Sequence, residues 1–465
     1  MGFDFQLLEN AGIQLIDGDR GKNYPKHNDF MENGYCLFLS ARNVTKSGFQ
    51  FQETAFINEI KDSQLRAGKL SYGDIILTTR GTVGNVAYYD SSNPYKNIRI
   101  NSGMIIIRAD EKLWNPKFLY FILTSGFLQE QIINLISGSA VPQLPARDIK
   151  KFILPVIGRT IQDKIANIIS AFSDKISINI DTNQTLEQIS QTLFKSWFVD
   201  FDPVIDNALD AGNPIPEVLK SRAELRQKER NSADFKPLPA DIRALFPAEF
   251  EETELGWVPT GWHYMPLKNL GKIICGKTPD KSNKEYYGED YLFIKIPDMH
   301  GKVFVTNSAD KLSTLGSETQ IKKLVPKGSI CVSCIATVGI VAINSKDCHT
   351  NQQINSIVPN SSILRNYLYF SMLGKNKIFH DLASGGSATL NMNTGVFSNV
   401  LTLKPEDSVL ERFQQISEHW FGRILANENE IHTLTALRDT LLPKLISGEL
   451  SLEDLPDLVT QTEPA

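Results

Sequence analysis

The chain is written twice, and that constrains its fold more than any other feature. Gly73–Ala87 returns 255 residues later as Gly328–Ala342, with seven of fifteen positions identical and no gap. Each copy leads into a long helical pattern. Ile165, Ile168, Phe172, Ile176, Leu186, Ile189, Leu193 and Trp197 precede Phe413, Ile416, Trp420, Ile424, Leu434, Leu437, Leu441 and Leu445 by 248 residues. A protein of two similar halves can hold two similar things at a fixed separation. The lobes match elsewhere too: Leu37-Phe38-Leu39 with Leu292-Phe293-Ile294, and Leu119-Tyr120-Phe121 with Leu368-Tyr369-Phe370.

Apolar patterning predicts an α+β protein. Residues 1–157 read as a mixed lobe of short strands, among them 37–39, 75–77 and 104–107, with a helix over Pro116–Ile136. Residues 158–201 hold a long helix whose apolar positions alternate steps of three and four, the coiled-coil seam. Asn179 and Asn183 interrupt that seam. A polar, proline-containing connection covers 202–257. Its charged run, Lys220–Arg230, reads as a solvated helix face or linker. The second lobe covers 258–404, a second long helix 405–450, and a tail 451–465. The expected seam includes Ile165, Phe172, Leu186, Ile189, Leu193, Trp197, Trp420, Leu434, Leu437 and Leu441. Within it, Leu434, Leu437 and Leu441 are expected to pack on Leu186, Ile189 and Leu193.

Net charge is −5 over 465 residues, which argues against a simple basic nucleic-acid binder. The distribution is more telling. Residues 262–404 carry 16 Lys and Arg against 9 Asp and Glu, whereas residues 405–465 carry 4 against 12. Basic lobes on an acidic frame focus a polyanion onto the lobes. Five scattered cysteines make no disulfide framework and point to a reducing, cytoplasmic setting. No run of apolar residues suffices for a membrane span.

Motifs for catalysis fail on context. Gly271–Thr278 spells the phosphate-loop pattern, but its interior Lys-Ile-Ile-Cys reads as strand and no amphipathic helix follows. Cys331, Cys334, Cys348 and His349 have the residue types for zinc. Yet Cys331 and Cys334 would face opposite sides of a strand, and Ile76 and Thr79 replace them in the first copy. Asn93-Pro94-Tyr95 is the nearest run to an adenine-methylase tetrapeptide, and it lacks the second proline. The chain reads as non-catalytic, with no metal.

Polar loops at strand ends are the better candidates. Arg80, within Thr78, Thr79 and Thr82, offers a fork that matches guanine or a phosphate. Asn101 pairs with Asn351, Gln352 and Gln353, whose amides suit adenine. Ser137, Ser139 and Gln143 pair with Ser387 and its neighbours. Lys22, Arg99, Lys277, Ser333 and Thr337 complete the set. Tight turns required by the fold account equally for the glycines in these loops.

Taken in order on a duplicated frame, Ile16–Pro25, Asn101–Met104, Lys195–Pro203, Leu255–Pro259, Gly276–Pro279 and Leu442–Leu450 are similar to the DNA-specificity subunit of type I restriction–modification systems. The resemblance covers almost the whole chain. It implies two target-recognition domains, each followed by a spacer helix, the helices pairing as an antiparallel coiled coil about a pseudo-twofold. Each domain would read one half of a split, asymmetric sequence in double-stranded DNA. Two methylation subunits would supply S-adenosylmethionine and adenine methylation, and two restriction subunits ATP- and Mg-dependent cleavage; this chain would bind none of these cofactors. A bilobal adaptor that never touches bases, and a lone DNA binder without enzyme partners, are the alternatives. One departure stands out: Leu255–Pro259 has no counterpart before Gln6, so the first lobe is either shorter or completed by the C-terminal segment.

Overall fold

The computed structural model describes residues 3–138, 142–384, 390–450 and Leu452. They form two units: residues up to Ile176 together with those from His432 onward, and Ser177–Ile431.

The repeated segment builds the centre of a sheet in each unit. In the first, Ile13–Asp17, Met104–Ala109, Ile75–Thr78 and Val86–Tyr88 are neighbours in that order, all antiparallel. In the second, the order is Gly271–Cys275, Ile354–Pro359, Ile330–Ser333 and Val341–Asn344, and Phe304–Val305 joins the last strand in parallel. The central strands are apolar without alternation because both their faces are covered. Ile75, Leu77, Ile105 and Ile107 enter one apolar cluster, and Ile76, Met104 and Ile106 another. The second unit divides Ile330 and Val332 from Cys331 in the same way. Cys331 and Cys334 accordingly lie in different clusters. A smaller sheet flanks each main one. Cys36–Phe38 pairs in parallel with Ile98–Arg99, as Tyr287–Ile294 does with Cys348–Thr350.

The helix expected over Pro116–Ile136 is two helices, Pro116–Thr124 and Gly126–Leu135. Asn115 caps the first by accepting from Lys117 N at 2.9 Å and Phe118 N at 3.0 Å, with Pro116 preset for the first turn. Ser125, extended at φ −69° and ψ 154°, breaks the run. The second unit repeats the pair as Arg365–Leu373 and Asn376–Ala383.

The long helices are Arg159–Phe198 and Asp407–Ser447. At 1.5 Å per residue each is roughly 60 Å long. None of the described helices is long and apolar enough to cross a membrane. In the first unit Ile165, Ile169 and Phe172 pack with Leu437, Leu441 and Leu445. In the second, Leu186, Leu193, Phe194 and Trp197 pack with Phe413, Ile416, Phe421 and Ile424. Asn183 meets Asn427, and Asn179 meets Glu430. The helices are antiparallel in each unit. The expected contact of Leu434, Leu437 and Leu441 with Leu186, Ile189 and Leu193 is therefore wrong. Antiparallel partners have residue numbers summing to about 610 by the Asn183–Asn427 contact, whereas the 248-residue repeat aligns equivalent positions, not partners. Two further seam assignments shift by one residue. Ile189 is 44% exposed and Ser190 is buried in its place. Trp420 is partly exposed and Phe421 is fully buried. Leu434 is partly buried.

The 202–257 connection is folded, not a solvated linker. Helix Asp202–Ala211 presents Asp202, Asp206 and Asp210 to Arg222, Arg226 and Arg230 of helix Lys220–Arg230. Both triplets have spacing four, so each forms one stripe along its helix. Arg222 grips Asp202 with two bonds of 2.8 and 2.7 Å, and Arg226 grips Asp206 with two of 3.0 and 2.8 Å. Arg230 and Arg243 share Asp210. Apart from the buried Ala223, the rest of the run faces solvent.

The departure at Leu255–Pro259 also has a structural form. Phe250–Thr253 and Gly256–Pro259 make a hairpin in the second unit. The strand that follows it, His263–Pro266, pairs with Leu401–Lys404 as Phe5–Leu7 pairs with Ile153–Pro155. In the first unit Leu450 and Leu452 pack against the core instead.

Candidate nucleic-acid interface

Strand direction gathers the polar loops. Asp17 pairs with Ile105 and Thr78 with Met104, so the ends of two strands and the start of a third coincide. The turns 18–23, 79–85 and 101–103 therefore share one end of the first unit's sheet. Bridges from Arg80 to Gln143 and from Gln143 to Ser137 add those two residues. The second unit assembles 276–280, 334–340, 351–353 and Asn391 by the same bonds. Thr79 N donates to Gly103 O at 2.8 Å, as Cys334 N donates to Gln353 O at 2.7 Å. Leu144 N donates to Thr79 O at 3.0 Å, as Met392 N donates to Cys334 O at 2.9 Å.

The turns are held by matched devices. Asn101 Oδ1 accepts from Gly103 N at 2.8 Å, and Asn351 Oδ1 from Gln353 N at 3.2 Å. Gly18 and Gly276 press on these turns: a Cβ at either would stand 2.2 Å from the carbonyl oxygen of Asn101 or Asn351. Asn101 and Asn351 thus organise loops first. Asn351 is also 8% exposed and its Nδ2 donates to Gln353 Oε1 at 2.9 Å.

Three of the expected contact residues are committed inward. Arg99 is buried; its Nε donates to Asp62 Oδ1 at 2.5 Å and its other nitrogens to Ala67 O at 2.7 Å and Asp62 O at 2.9 Å. Burial opposes the Asp62 charge, but Lys69 and Arg99 overcome it and hold the carboxyl below its usual range. Thr78 is buried, its hydroxyl donating to Thr82 O and accepting from Asn85 N at 3.0 Å. Ser333 is its counterpart, accepting from Ile340 N at 2.9 Å. Such residues support the turns and present no group to a ligand. Thr79 is nearly buried and meets solvent only at a cleft.

Exposed at the same end are Lys22, Arg80, Thr82 and Ser137 in the first unit, with Gln143 partly exposed. In the second, Lys277, Thr337 and Gln352 are exposed and Gln353 partly so. Gln352 Oε1 accepts from Thr278 Oγ1 at 2.7 Å. Ser139 and Ser387 lie outside the described residues.

The Ile16–Pro25 run holds functional groups that residue type alone did not single out. Asp19 accepts from Gly21 N and Arg66 N, each at 2.7 Å. These bonds, Arg66's first, lower the Asp19 carboxyl below its usual range and close the loop. Arg20 then lines the same cleft as Arg80. The two arginines, with Asp17, Thr79 and Gln143, line a cleft of about 140 Å³ floored by Ile105. Two cations, an amide and a carboxylate around an open cleft suit a flat polar edge that presents both acceptors and donors.

Comparisons with known proteins identify the family. The family model for the type I restriction modification DNA specificity domain matches residues 12–188 and again 259–401. The chain belongs to the type I restriction–modification DNA specificity family. It is 38% identical to the type I restriction enzyme HindI specificity subunit of Haemophilus influenzae over 453 residues, covering 93% of this chain and 98% of that one. The MjaIX specificity subunit of Methanocaldococcus jannaschii is 25% identical over 408 residues, 85% of this chain and 81% of that one. A crystal structure of a type I restriction–modification S subunit from M. genitalium shares the fold. Its TM-score is 0.54 at 14% identity, over 96% of each chain. The two family matches fall on the two copies of the sheet, so each copy is one specificity domain.

Proposed function

We propose that this chain is the DNA-recognition subunit of a type I restriction–modification complex, reading a split asymmetric target with one half-site per unit. It carries no catalysis. Two methylation subunits bring S-adenosylmethionine and methylate adenine, and two restriction subunits bring ATP- and Mg-dependent cleavage. The observation that carries the reading is the doubled loop assembly. The same backbone bonds fix both sheet ends, while the exposed side chains differ: Arg80 in one unit stands where Ile335 stands in the other. Identical scaffolds with different exposed groups suit two readers of unlike sequences.

The test is methylome sequencing of a host expressing this chain with its neighbouring methylation subunit, against a deletion of this chain alone. A split motif methylated on opposite strands and lost in the deletion supports the reading. An unchanged methylome, with the methylation subunit expressed and active, sinks it.

A further inference from the structure

We propose that the Arg20–Arg80 cleft reads the edge of a G·C base pair within the first unit's half-site, through charged residues whose counterparts in the second unit are uncharged. This rests on the DNA-recognition reading above. The cleft holds donors without partners. Among the described residues the Arg80 guanidinium has no hydrogen bond or ion pair, although its backbone is pinned. Its N–H donates to Gly103 O at 3.2 Å, and the neighbouring Gln143 exchanges two 2.9 Å bonds with Ser137. The pinned backbone spares the cost of ordering the loop on binding, and the guanidinium keeps all its donors for a ligand.

Arg20 is half spent. Its Nη2 donates to Asp17 Oδ1 at 3.0 Å and to Ser102 O at 3.4 Å, which orients the plane and leaves Nη1 and Nε. The Asp17 carboxylate decides the ligand. A site for phosphate alone gains nothing from an anion in its wall. The major-groove edge of a G·C pair presents two acceptors on guanine, N7 and O6, and a donor on cytosine, N4. Arginine donors beside a carboxylate acceptor match that pattern. Thr79 and Gln143 add groups of either polarity.

The second unit has the same ladder, but the counterparts of the three charged residues are uncharged, and its exposed Lys277 falls at the position of Asp19 instead. Counting from the paired glycines, Gly18 with Gly276, the counterparts of Asp17 and Arg20 are Cys275 and Thr278. By the shared bridges, Arg80 and Gln143 correspond to Ile335 and Asn391. The asymmetry assigns the charged reader to one half of the target.

The experiment uses the full chain with its methylation partner in a host without other adenine methylation. Methylomes are compared for the wild type, Arg80→Ala, Arg80→Lys and Asp17→Asn, each checked for folding by melting. In the wild type one half-site specifies a G·C pair that Arg80→Ala makes degenerate, losing roughly tenfold or more preference there. The other half-site and the spacing stay unchanged. Lysine does not restore the preference because it lacks the planar fork. A wild-type motif that Arg80→Ala leaves unaltered, with methylation merely weaker and less salt-dependent, makes Arg80 a phosphate contact and overturns this proposal alone. Equal loss of both half-sites in a folded complex overturns it too. No motif from the wild type sinks the DNA-recognition reading, and this proposal with it.

Discussion

Asn427 Nδ2 donates to Asn183 Oδ1 at 2.8 Å in the seam between the long helices of the second unit, and both side chains are buried. Asn183 passes the bond on to Glu428 at 3.3 Å, whose carboxyl burial raises above its usual range. A buried amide pair in an otherwise apolar seam selects register, because any slip strands polar groups among leucines. Asn427→Ala leaves the Asn183 oxygen without its donor. The expected cost is about 1–3 kcal/mol of stability. Asn183→Leu combined with Asn427→Leu removes both groups and should cost less than the two single changes added. Strict additivity in thermal or urea unfolding would show that the pair is uncoupled.

The duplication made the sheets and the long helices legible, because two noisy copies of one pattern reinforce each other. The seam partners were not legible for the same reason. A repeat aligns Leu186 with Leu434 as equivalents, and antiparallel packing then puts equivalents in different units. Arg99 entered the set of DNA contacts because residue type was the only guide. Its partner Asp62 is 37 residues away, on a helix that no local pattern ties to the strand. The Lys220–Arg230 run misled likewise: its spacing of four was visible, but not that Asp202, Asp206 and Asp210 supply a matching stripe. Arg20 was within a recognised run, yet its importance comes from a loop closed by Asp19, which is a tertiary fact.

His349 gives a pH prediction. It is buried, with Nε2 against Ser317 Oγ at 2.8 Å, and burial lowers its pKa to about 4. The unfolded chain keeps the ordinary value of about 6.5 and binds the proton first on acidification. This group's contribution is therefore fully present above pH ~6.5. It is lost as pH falls towards 4, with a slope of up to ~1.4 kcal/mol per pH unit. Below that the folded state protonates as well and no further loss follows. His349→Gln should flatten the slope in this window. Urea unfolding at several pH values checks it, and an unchanged slope removes His349 as the cause.

The Asp206–Arg226 pair tests whether 202–246 is a folded part of the second unit. Asp206 and Arg226 have side chains only 5% and 14% exposed, and Arg226 also lies over the Phe235 ring at 5.0 Å. Arg226→Met leaves a buried carboxylate with Arg230 at 3.9 Å as its nearest remaining cation. Breaking such a pair from one side costs about 3–5 kcal/mol. The readout is limited proteolysis: cleavage between Asp202 and Arg243 should speed up well before the sheets melt. Resistance equal to wild type would mean that this pair is not what holds the two helices together.

Gly18 and Gly276 permit the sharpest separation of the two units. Each follows a sheet strand and packs its Cα directly on the turn that the neighbouring Asn builds, with the Asn carbonyl oxygen 2.2 Å from any added Cβ. That oxygen is backbone and cannot swing aside, so alanine must push the whole turn outward. Overpacking of this kind costs roughly 1–3 kcal/mol. The displaced turn in the first unit carries Gly103, whose carbonyl anchors Thr79 and Arg80. In the second unit it carries Gln352 and Gln353. Gly18→Ala should therefore weaken discrimination in one half-site only, and Gly276→Ala in the other only. The measurement is DNA binding to targets altered in one half at a time, together with melting of each variant. If both substitutions degrade the same half-site, or neither changes discrimination while stability falls, these sheet ends are not where the target is read.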